Sequence, residues 1–164
     1  MSFIIQKSFY WLASLFYRGT KGALSPACLC NRTRSIFDEL HCIHRIDKDE
    51  NILYGELETE EVKPHIRTVV HFLNESIQIN CLAPDQQLPG NKLSDALQLC
   101  NRWNYREFYP MVFIDPYTNR FITEYSICVD ACSNNKFLKE KIIAPVLTKN
   151  LEFFKETNEF FTKK

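Results

Sequence analysis

Glycine is scarce in this sequence, with four residues in 164. A phosphate-cradling loop needs several within a short stretch, so nucleotide binding of that kind is excluded. No run of apolar residues reaches the roughly 18 to 20 that a bilayer-spanning helix requires. The cysteines are odd in number, seven, and irregularly spaced, which is not the pattern of a secreted disulfide framework and favours a reducing compartment. Acidic residues are missing before Asp38, where Lys7, Arg18, Lys21, Arg32 and Arg34 give a charge of +5. All 20 acidic residues therefore meet only the remaining 15 of the 20 basic ones, and the body carries −5. Phosphate backbones need clustered positive charge on a folded surface, so nucleic acid is not the main partner. Neither an internal repeat nor a low-complexity stretch occurs.

Apolar material is plentiful. A hydrophobic fraction of 45%, with thirteen Phe and seven Tyr, supports a real core in a chain of one-domain length. Residues 1–32 read as a basic, aromatic arm. Within it Ile5, Phe9, Leu12 and Phe16 fall at spacings of four, three and four, on one face of a helix. Gly19, Gly22, Ser25 and Pro26 then break the pattern. Three roles suit such an arm: docking on its own domain or a sister subunit, organellar targeting, or membrane-surface contact through residues 1–24. Phe9, Trp11 and Phe16 are its candidate contact residues. The expected location is cytoplasmic, or organellar if the arm is a targeting segment.

Residues 33–164 read as one α+β domain. A short helix is expected over 33–44, with Ser35 as its cap. Strands follow over 52–58, 66–73 and 76–82, the last two joined by Asn74-Glu75 as a hairpin. A loop with Pro84, Pro89 and Gly90 leads into a helix over 92–104. Its core face is read as Leu93, Ala96, Leu97, Cys100 and Asn104, with Leu99 and Trp103 beside them. Strands over 108–114 and 121–129 flank a turn at 115–120, and a long helix over 135–162 is interrupted at Pro145. Hairpins imply an antiparallel sheet, of about five strands, with helices packed on one face.

Chemical constellations are thin. Cys28 and Cys30, with His41 and His44 downstream, carry the donor types that zinc prefers. Their one-residue gap is not the usual knuckle spacing, so ordinary thiols account for them better, and metal or cysteine chemistry there is the alternative reading. Cys81 and His71 could pair as nucleophile and base, but no orienting group accompanies them. No catalytic, cofactor-binding or metal residue is therefore assigned. Asn101, Trp103 and Asn104 suit a helix end, with Asn closing the helix and Trp sealing it on the sheet. A second reading makes Trp103, Tyr105, Phe108 and Tyr109 an exposed aromatic platform for a partner.

The segment 99–104 (Leu-Cys-Asn-Arg-Trp-Asn), followed by Phe108, Ile114-Asp115 and the strand containing Glu124, resembles the YbjN family. That family is assigned to bacterial sensory-transduction regulation and shares its fold with type III secretion chaperones. The order of elements over residues 34–162 agrees, although the family's Asp/Gly-rich hairpin turn is replaced by residues 115–120. The resemblance implies a small, commonly homodimeric α+β module without catalytic residues. The expected function is a non-enzymatic protein-binding module: a chaperone-like adaptor, regulator or assembly factor.

Overall fold

The computed structural model describes residues 24–59, 62–129 and 133–162, and its first element starts where proline permits. Helix α1 spans Pro26–Glu39. Pro26 sits in the first turn, where its missing N–H costs nothing, and Ser25 accepts a hydrogen bond from the Cys28 amide at 3.2 Å. The expected helix over 33–44 with a Ser35 cap is thus corrected. The helix starts earlier, within the residues assigned to the arm, and ends before His41, whose φ of 56° is left-handed. Leu29, Cys30, Thr33, Ile36 and Phe37 form its buried face.

The residues expected to finish that helix instead make strand β1 (Ile43–Asp47). It is followed by β2 (Ile52–Thr59), β3 (Val62–Leu73) and β4 (Ser76–Leu82). Glu75 turns the β3–β4 hairpin with a φ of 59°. A 3₁₀ turn over Gly90–Lys92 precedes helix α2 (Leu93–Glu107). Strands β5 (Met111–Asp115) and β6 (Arg120–Cys128) come next. A helical turn (Asn135–Phe137) and a π segment (Leu138–Ile143) then lead into helix α3 (Ala144–Thr162). The interruption expected at Pro145 lies just before it: the Ala144 amide bonds the Lys139 carbonyl, five residues back.

The sheet has six strands in the order β1-β2-β3-β4-β6-β5, and every pairing is antiparallel. The α+β class and the antiparallel sheet are as expected; β1 is the addition. Alternate residues of the strands face one core. Leu53, Leu57, Ile66, Val70, Phe72, Ile77, Ile79, Val112 and Phe121 all lie on the covered side, where they share one hydrophobic cluster with α1, α2 and α3. The three helices therefore pack on a single face.

One cross-strand row organises that face. His44, Gly55, Thr68, Cys81, Thr123 and Val112 stand opposite one another from β1 to β5. Gly55 gives Phe37 room: a Cβ there would lie 2.7 Å from the Phe37 ring. Thr68 Oγ1 lies 3.3 Å from Cys81 Sγ. Thr123 donates to the side-chain carbonyl of Asn150 on α3, and the Asn150 amide donates to Val146 O at 2.8 Å. The row's polar groups are thus satisfied inside a dry core. Beside it, Phe153 meets Trp103, Phe121 and Phe154 edge-on at 5.1, 5.5 and 5.3 Å.

Replacing Gly55 by Ala should lower stability by about 1–3 kcal/mol, the usual cost of overpacking. Trimming the ring with Phe37→Leu in that background should recover part of the loss. Urea denaturation of the three chains checks this, and equal midpoints would refute the close contact.

Candidate partner-binding surface

The end of α2 and the start of β5 are joined by side chains of residues 103 and 104. Helix α2 does not stop at Asn104, as its sequence suggests, but runs on to Glu107. The left-handed residue that ends it is Phe108, at φ 60° and ψ −30°. The helix is rolled so that Trp103, its largest side chain, turns inward with Ala96, Leu99 and Cys100. Leu93 and Leu97, expected in the core, are exposed as a result. Asn104 does not close its own helix. Its amide donates to the Val112 carbonyl at 2.8 Å, and its carbonyl accepts from the Val112 amide at 2.7 Å.

Trp103 is 1% exposed. Its Nε1 donates to Pro110 O at 3.2 Å, and the Arg106 guanidinium lies over its ring at 4.9 Å. It is therefore no part of an exposed platform, and that placement is corrected: burying the indole seals α2 on the sheet. The other three platform residues are different. Tyr105 is 88% exposed and Phe108 83%. Tyr109 is more sheltered, its ring 5.5 Å from that of Tyr125.

Two residues that sequence reasoning missed extend this group. Met111 and Phe113 flank the buried Val112 on β5 and are both exposed, which puts them on the face that no helix of the described residues covers. The sequence signal was available in the two-residue alternation, but an all-apolar strand conceals which face is dry. Among the described residues, five of the eleven exposed large apolar side chains fall between 105 and 113. They form a ledge that follows the α2–β5 junction and the edge strand, with Tyr109 against Tyr125 on the covered face and Met111 and Phe113 on the other.

Ion pairs fasten the ledge's base. Glu107 accepts from Arg106 Nε at 2.6 Å and pairs with Lys149 at 2.9 Å. Glu156 pairs with Arg106 at 3.0 Å and with Arg102 at 3.5 Å. Lys149 also reaches Glu152 at 2.7 Å. Hydrogen bonds from Lys149 and then Arg106 hold the Glu107 carboxyl below the usual glutamate range. Bonding to Glu107 and Glu156 keeps Arg106 charged. Each exposed pair contributes little on its own, but together they tie α2 to α3.

The remaining candidate residues do not assemble. Phe9, Trp11 and Phe16 lie outside the described residues. Cys28 and Cys30 both sit on α1; Cys30 faces the core and Cys28 is half-buried, because two residues turn a helix by about 200°. His41 is exposed beyond the helix, while His44 on β1 has Nδ1 3.0 Å from Cys42 O and Nε2 3.6 Å from Asp38. Among the described residues no three His, Cys, Asp or Glu side chains come together as a metal group. Cys81 and His71 lie on opposite faces, because Cys81 stands opposite Thr68, three residues before His71 on β3. Burial pushes the Cys81 thiol up to about 12 and the Cys100 thiol up to about 11, far from the range of a reactive thiolate.

No family model matches the chain, and neither does any curated protein sequence. A solved structure does: that of YbjN from E. coli, a proposed transcription regulator, at a TM-score of 0.59. The likeness covers 79% of this chain and 91% of that one, at 10% sequence identity. The fold is YbjN-like. At such identity the likeness speaks for architecture, and it agrees with the resemblance in element order. Among the described residues no helix is long and apolar enough to cross a membrane.

A glutamate whose pKa is lowered on folding stabilises the fold above its unfolded value, and that stability is lost as pH falls through the folded one. Glu107→Gln should therefore melt below the unaltered chain at neutral pH, with the gap closing in acid; a gap independent of pH would count against the ion-pair network. Native alkylation with iodoacetamide, read by mass spectrometry, should modify exposed Cys128 before the other cysteines of the described residues and reach Cys81 only on unfolding. Rapid labelling of Cys81 would contradict its burial.

Proposed function

We propose that this chain is a non-enzymatic protein-binding module, a chaperone-like adaptor, regulator or assembly factor, that seats a partner chain on the ledge of Tyr105, Phe108, Tyr109, Met111 and Phe113. The observation that carries the reading is that ledge itself. A chain that buries Trp103, Phe37, Phe121, Phe153 and Phe154 completely nevertheless leaves five large apolar side chains exposed between residues 105 and 113, at and beside the edge strand. Clustered apolar exposure on a rigid base is how protein interfaces present their anchors.

Chemistry argues the same way. The thiols pushed up furthest, Cys81 and Cys100, are buried, and among the described residues no three His, Cys, Asp or Glu side chains come together. The similarity to a proposed regulator fits a binding role, and free cysteines fit a reducing, cytoplasmic setting. The mildly acidic body favours a protein over nucleic acid as the occupant.

The test is affinity capture from the native source with the unaltered chain and with Tyr105→Ser/Phe108→Ser. Both side chains are exposed, so the double variant should keep its melting temperature. Losing two anchors worth about 1–2 kcal/mol each should cut partner recovery at least ~tenfold. Equal recovery by the two chains would rule out the ledge as the binding surface.

A further inference from the structure

Strand β5 is the last in the sheet. An edge strand presents a row of backbone N–H and C=O groups to which a strand of another chain can add. The two edges of this sheet are unlike. β1 reads Ile-His-Arg-Ile-Asp and carries charge along its length, a usual deterrent to pairing. β5 reads Met-Val-Phe-Ile-Asp, with four apolar residues in a row, the kind of edge that invites another strand.

Its backbone is nevertheless covered. Asn104 takes both the N–H and the C=O of Val112, so those two groups point away from β6. In an antiparallel pair such outward residues recur every second position, which makes 110, 112 and 114 the outward set. Pro110 has no N–H, and its carbonyl accepts from Trp103 Nε1. Two of the three outward positions are thereby closed. A carboxamide offers one donor side and one acceptor side, as a peptide group does. Asn104 meets Val112 with the paired bonds that a residue of an added antiparallel strand would make.

We infer that Asn104, with Trp103, is a built-in substitute for a seventh strand that shuts the β5 edge against strand addition. Whatever meets this end of the sheet then does so through side chains, not through a shared backbone ladder. The inference stands apart from the ledge reading, since the edge is shut whether or not the ledge binds a partner.

The experiment compares the full chain with Asn104→Ala by sedimentation velocity over a range of concentrations, with far-UV circular dichroism to confirm folding. Asn104→Ala should self-associate about tenfold or more tightly than the unaltered chain, by β5 pairing with β5 of a second copy. Adding Ile114→Pro, which removes the N–H at the remaining outward position, should reverse the gain. A folded Asn104→Ala chain with unaltered association overturns the inference. So does a gain that Ile114→Pro leaves in place, because the association would then not run through the edge. Should Asn104→Ala fail to fold, Asn104→Asp carries the same comparison, because it keeps the acceptor for the Val112 amide and loses only the donor. It should associate more weakly than an uncovered edge but more tightly than the unaltered chain, and no gain would again overturn the inference.

Discussion

A sheet that covers only one face obliges every strand to keep the same two-residue alternation in step with its neighbours, since a one-residue slip would exchange the dry side for the wet one. Here that constraint is met across all six strands by the row from His44 to Val112. It places a glycine beneath Phe37 and threonines beneath α3, so that helices sit close where side chains are small. Everything else follows from this one-sidedness: among the described residues the helices gather on one face and leave the other uncovered, and the two outermost strands become the places where the fold needs protection.

The strands announced themselves because alternation survives in a single sequence. Ile77, Ile79 and Cys81 against Gln78 and Asn80 gave β4 to within its observed limits. The same rule failed at β1, where five residues mix histidine, arginine and aspartate with isoleucine. Their apolar spacing extended a helix pattern across a boundary set by the backbone of His41. Pro26 looks like a breaker in the sequence and is a starter in the fold; both are habits of proline, and only the neighbouring Ser25 cap distinguishes them. The roll of α2 was hidden for a different reason. Leu93 and Leu97 match a helical stripe as well as Leu99 and Trp103 do, and only the size of the indole, set against Phe153, decides which stripe goes in.

The candidate surface was legible in part. Aromatic residues in a row after a helix marked the place, and three of them are exposed. The fourth, Trp103, was buried because its N–H found a carbonyl seven residues ahead, a contact between elements that no local pattern encodes. The sequence suggests that Asn104 closes its own helix for the same reason: its true partner, Val112, becomes adjacent only once β5 has folded back. Residues that bond across elements are the ones a linear reading misplaces.

The buried Thr123–Asn150 contact has a mechanical consequence. Shifting α3 along the sheet by one turn would separate the two side chains and leave polar atoms orphaned in the core, at about 1–3 kcal/mol for each. The helix is thus indexed to the sheet like a key in a slot, and through Glu107 and Lys149 so is the end of α2. Sliding at this end of the domain would therefore break buried polar contacts and ion pairs together, which holds both helices to one register on the sheet.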